Sequence, residues 1–113
     1  MAARVAQIAD DRKALEIVVL DVRQHLYLTD YFVIASGANP RQLRAIADEV
    51  AREAKEAGVH RIGAEGLPVS RWVLLDYGDV IVHVFDQATR DFYDIERLWG
   101  DAPRRQYDAA TSA

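Results

Sequence analysis

Asp76 and Asp79 stand three positions apart around Gly78. Two carboxylates that close could hold Mg²⁺ beside the phosphates of a substrate, provided a neighbouring strand brought in a third such as Asp21 or Asp30. That set would suit a metal-dependent nucleotidyltransferase-like enzyme. Each Asp also has a plainer role, Asp79 as a turn residue and Asp76 as a strand-end group facing water. His25, His60 and His83 sit in three separate segments, without the i, i+4 spacing of helical metal ligands, so they predict no metal site. Ser36 and Ser70 have no nearby His and no G-x-S-x-G elbow, and the chain has no cysteine, which removes the common nucleophiles. "SGANPRQ" leads into a helix N-terminus where an anion could sit. With one Gly and no P-loop Lys, helix capping explains it better. No catalytic set and no cofactor is expected.

The elements that carry these residues are legible from spacing. "RWVLLDYGDVIVHVF", Arg71 to Phe85, predicts a β-hairpin with Gly78 at the first central position of a two-residue type II′ turn, and that turn fixes the register. One face then pairs Val73 with Val84, Leu75 with Val82 and Tyr77 with Val80, an apolar surface for the core. The other pairs Trp72 with Phe85, Leu74 with His83 and Asp76 with Ile81. That mixed face joins a large aromatic to aliphatic neighbours and fixed acidic groups, the ingredients of a protein-binding hot spot. The C-terminal turns with Phe92 and Trp99 could equally cover Trp72 and Phe85 and make the face ordinary core. No Lys or Arg lies between Trp72 and Phe85, which favours a basic partner.

Upstream, Val5, Ile8, Ala9 and Arg12 have helical spacing. "LEIVVLDV" and "DYFVIAS" are apolar on both parities, as strands covered on both faces require. Asn39 is placed to N-cap and Pro40 to open a long helix with Leu43, Ile46, Ala47, Val50, Ala54 and Ala57 as its buried stripe and Gly58 as its stop. "VHRIGAEGLPVS" reads as a loop or short edge strand. "DQATRDFYDIERLWGDAPRR" suggests short helical turns, and disorder is expected from about Asp101. The order predicts a single-domain α/β fold, a mixed β-sheet packed with helices, in which the crossover through the long helix makes one parallel strand pair.

At 113 residues, half of them apolar, there is room for one domain burying roughly two thirds of its unfolded surface. The start "MAARVAQIADDRKA" is charged, without an apolar signal core, and no apolar run approaches the roughly 20 residues of a membrane span. A cytoplasmic protein with no membrane partner is expected. A net charge of -4 argues against broad nucleic-acid binding, which needs clustered Lys and Arg to neutralise phosphates.

"LTDYFVIASG", "LRAIADEV", "RWVLLDYGDVIVHVF" and "TRDFYDIERLWGDAP" together resemble the Iojap family, the ribosomal silencing factors, over about Leu15 to Pro103. The resemblance implies a nucleotidyltransferase-like fold without the catalytic carboxylates, with residues 1–100 as the silencing-factor domain and 101–113 as a tail. It implies a non-enzymatic translation repressor that docks on the fourteenth protein of the large ribosomal subunit and blocks small-subunit joining, and that often forms homodimers. Carried over by position, the partner-binding residues are Trp72 as anchor, with Leu74, Asp76, Tyr77 and Asp79 around it and Arg71 and Tyr93 at the margin. His25 and Tyr27 depart from the small or polar residues expected before the Asp-Tyr-Phe block. A plain homodimerising adaptor is the remaining reading.

Overall fold

The computed structural model describes residues 1–24, 29–66 and 71–106. His25, Tyr27 and Ser70 lie outside them. Helix α1 (Ala2–Asp11) buries the stripe Val5, Ala6, Ile8 and Ala9. Strands β1 (Leu15–Asp21) and β2 (Tyr31–Gly37) follow. Helix α2 (Pro40–Glu56) starts as its sequence dictates: the Asn39 side chain accepts the Gln42 backbone N–H at 2.8 Å and Pro40 opens the first turn. The short strand β3 (Gly63–Glu65), the hairpin strands β4 (Trp72–Asp76) and β5 (Val80–Asp86), helices α3 (Gln87–Tyr93) and α4 (Ile95–Leu98), and strand β6 (Arg104–Gln106) complete the order.

Six strands form one mixed sheet in the order β3-β4-β5-β2-β1-β6. β2 and β5 run parallel, and the other pairs are antiparallel. The parallel pair is the one expected from the crossover, and "VHRIGAEGLPVS" supplies β3 at the sheet edge.

The sheet is apolar on both faces because its strands are apolar on both parities. α1 and α2 cover one face, packing Val33, Ala35, Val73, Leu75, Val82 and Val84 beneath Leu43, Ile46 and Val50. On the other face, Val18, Leu20, Phe32, Ile34 and Phe85 pack with Ile95 and Ala102. The close approach of α2 depends on Gly37, where an added Cβ would come within 2.8 Å of the Leu43 backbone nitrogen.

Disorder from Asp101 is corrected as far as Gln106, residues 107–113 lying outside the described ones. Ala102 is buried, and Arg104–Gln106 pair with β1, Leu20 opposite Arg104. The Asp21 N–H donates to the Pro103 carbonyl at 2.9 Å. Backbone pairing along β1, which would otherwise present a row of unpaired groups, orders a segment whose side chains give little reason for order.

Candidate functional site

The hairpin has the register its Gly implies: Trp72 opposite Phe85, Val73 opposite Val84, Leu74 opposite His83, Leu75 opposite Val82 and Asp76 opposite Ile81. Gly78 turns the chain at φ +84°, a conformation that suits glycine. The two aspartates divide the work of that turn. The Asp76 carboxylate accepts the Gly78 N–H at 2.9 Å, so it is the turn-stabilising side chain. Asp79 is exposed, and its backbone carbonyl accepts the N–H groups of Asp30 and Tyr31 at 2.9 and 3.0 Å, tying the turn to β2. Asp21 is ion-paired with Arg23 at 2.6 Å. Among the described residues no three His, Asp or Glu side chains gather into a metal site.

At the other end of β4, Trp72 is half-buried in a nest of rings. It stacks on Phe85 with centroids 4.8 Å apart and lies 5.0 Å from Tyr93. Its indole N–H donates to Nδ1 of His83 at 3.2 Å. That bond makes Nδ1 the acceptor and leaves the proton on Nε2, and Nε2 has no partner. His83 is also edge-on to Phe32 at 4.9 Å. Enclosed by rings, its imidazole disfavours charge, and burial lowers its pKa from the ordinary 6.5 to about 4.

Trp72 is therefore neither sealed into the core nor free. One edge lines an open groove of about 630 Å³ with Arg71, Ala88, Thr89, Phe92 and Tyr93. Phe92, one of the two residues that could have covered the hairpin, is 80% exposed, and Tyr93 is the ring that meets Trp72. Both rings lie on α3, where successive residues point about 100° apart, so only one of the two can face Trp72; α3 then ends at Asp94, which takes a left-handed turn at φ 46° before α4. Trp99 packs edge-on against Phe32, 5.7 Å away. Arg71 extends into solvent 3.9 Å from Asp86. The Asp86 carboxylate caps α3 by accepting the Thr89 N–H at 2.7 Å, and hydrogen bonding from Thr89, the side chain first and the N–H adding to it, holds its pKa below the usual range.

The structure thus brings Arg71, Trp72 and Tyr93 together and places Leu74, half-buried, in the middle of the same face of β4. Asp76 and Asp79 lie at the far end, roughly 13 Å or more along the strand at about 3.3 Å per residue. Tyr77 does not belong to this face. It is buried in the helix-covered core, where burial raises its pKa and nearby Arg61 partly opposes the rise. Side-chain alternation along β4 had already placed Tyr77 opposite Val80 on that core face, so its grouping with Trp72 rested on the block resemblance alone.

One buried polar cluster had no sequence signal. Arg90 is 4% exposed, donates to the Ser36 hydroxyl at 2.8 Å and to Glu96 at 2.7 Å, while Glu96 also holds Arg104 at 2.9 Å. It fastens α3, α4 and β6 to β2 beside the groove. An Arg–Glu pair six residues apart follows no helical rule, and Arg is ordinarily a surface residue.

The model of the family "Ribosomal silencing factor during starvation" matches residues 1–113. The chain is similar to the ribosomal silencing factor of Bacillus subtilis, 43% identical over 103 residues covering 91% of this chain and 87% of that one. It is also similar to the chloroplast Iojap protein of Zea mays, 35% identical over 101 residues covering 89% of this chain and 44% of that longer one. In three dimensions it resembles a crystal structure of a Chromobacterium violaceum protein with a TM-score of 0.83 and 42% identity, covering 88% of this chain and 83% of that one. With the whole length matched and the same mixed sheet shared, the chain belongs to the Iojap family of ribosomal silencing factors.

Proposed function

We propose that this protein represses translation by docking on the fourteenth protein of the large ribosomal subunit and standing in the way of the small subunit. The action is occlusion and calls for no catalysis. The observation that carries the reading is the position of Trp72: a large ring held rigid by His83, Phe85 and Tyr93, with an edge left open to a groove. Pre-organised aromatics of this kind lose little entropy when a partner covers them. Leu74 extends the apolar surface, and the exposed Asp79 with Asp76 adds negative charge at the far end, a pattern complementary to a basic ribosomal protein. Arg71 borders the groove and would meet a polar group at its rim. The proposed setting is the cytoplasm, with the free protein a homodimer, a state that light scattering on the purified chain reads directly.

The test is co-sedimentation with purified large subunits, followed by addition of small subunits. Trp72→Ala should weaken co-sedimentation about tenfold or more, since an anchor aromatic contributes on the order of 2 kcal/mol and about 1.4 kcal/mol is a factor of ten. Small-subunit joining should recover in step. Unchanged co-sedimentation, with the fold intact by circular dichroism, would refute the assignment.

A further inference from the structure

We propose that a second groove, on the opposite face of the sheet from Trp72, binds a phosphate group. It has a volume of about 550 Å³ and lies where the end of α2 meets the loop before β3. α2 sets Asp48, Arg52 and Lys55 along one side at helical spacing, the loop adds His60 and Arg61, and Tyr77 forms part of the wall. Two of these charges are already answered. Arg52 is held by Glu49 and Glu56, and Asp48 by Arg44. Lys55 and Arg61 enter no ion pair among the described residues, so the groove keeps two cations without a carboxylate partner at its mouth.

A second observation concerns the Tyr77 hydroxyl, which is buried and finds no hydrogen-bond acceptor for its proton. Its neighbour Arg61 can only donate, so the phenolic proton lacks an acceptor. A buried donor left without an acceptor opposes folding unless something supplies one. Lys55, Arg61 and the phenol are all donors, and His60 can donate as well. A ligand made of acceptors and carrying negative charge fits that set, and phosphate, with Arg61 able to grip two oxygens, fits best. Lys55 alone could be answering the dipole at the C-terminal end of α2. Neither Arg61 nor the phenol has that explanation. The volume suits a nucleotide or one unit of RNA backbone rather than a lone carboxylate.

Calorimetric titration of the full chain at low salt, with no ribosome present, tests this independently of docking. The probes are pyrophosphate, ATP and a single-stranded RNA of about eight nucleotides. Saturable binding is expected, weakened about tenfold by Lys55→Gln or Arg61→Gln and severalfold by Tyr77→Phe, and falling with added salt. Lys55 and Arg61 are exposed, so their variants should keep the fold. Binding of ATP or pyrophosphate identifies a free phosphate ligand, and binding of RNA alone identifies a backbone phosphate. No saturation by any probe, or identical curves for the wild type and the Lys55→Gln/Arg61→Gln double variant, would overturn the proposal.

Discussion

The Trp72 indole donates its hydrogen bond across the hairpin to Nδ1 of His83, at 3.2 Å, so the side chain that faces the open groove is positioned by one that is 95% buried. A neutral imidazole offers a ring-nitrogen acceptor there. Its acceptor role holds while it stays uncharged.

Stability should therefore depend on pH through His83. Its pKa in the fold is about 4 against 6.5 ordinarily, so between those values the unfolded chain binds the extra proton and stability rises with pH. Above 6.5 the contribution is fully present, and it is lost progressively as pH falls towards 4, by up to about 3 kcal/mol. Urea midpoints measured from pH 7.5 down to 4.5 should fall in the wild type, and less steeply in His83→Gln. Equal slopes would show that the imidazole is not what titrates.

Phe92→Ser separates binding from folding. The ring is 80% exposed and lines the groove, so the melting temperature should stay within the spread of ordinary surface changes, about 0.5 kcal/mol. Large-subunit co-sedimentation should weaken severalfold. Full binding by a normally folded Phe92→Ser protein would place the contact elsewhere.

Arg90→Ala should be among the most damaging single changes. It removes the donor to the buried Ser36 hydroxyl and leaves Glu96 with Arg104 alone, and breaking a buried pair by removing one partner costs about 3–5 kcal/mol. Denaturant unfolding reads the loss. Glu96→Gln combined with Arg90→Met should cost less than the two single effects added together, because the two sites share one interaction.

Gly37→Ala tests the close packing of α2 on β2. The new methyl would meet the Leu43 backbone nitrogen at 2.8 Å and its Cα at 2.9 Å, atoms that cannot swing aside, so a loss of about 1–3 kcal/mol is expected on thermal unfolding. An unchanged melting point would mean that the helix shifts freely over the strand.

How far the sequence discloses this molecule follows from the range of the forces involved. The hairpin register, the Asn39 cap and the buried stripe of α2 as far as Ala54 are set by neighbours a few residues apart, so local rules find them; Ala57, expected in that stripe, is instead the exposed C-cap. The placement of Tyr93 rather than Phe92 on Trp72 depends on how α3 docks on the sheet, which adjacent residues of a seven-residue helix do not signal. β6 is held by main-chain bonds, to which side-chain pattern is blind. Arg90 is buried because Ser36, 54 residues away, and Glu96 meet it in space. The groove beside Trp72 inherits the same limit: Trp72 and Leu74 are legible on one face of a strand, and the wall that makes a groove of that face comes from α3.

The parallel seam at the centre of the sheet sets the tempo of folding. Tyr31 faces Val80 across it, 49 residues further along the chain, while the pairings on either side, β1 with β2 and β4 with β5, close over much shorter spans. Two locally assembled ribbons must therefore find each other around α2, and a late, long-range search of this kind is the slow event in reaching the native state.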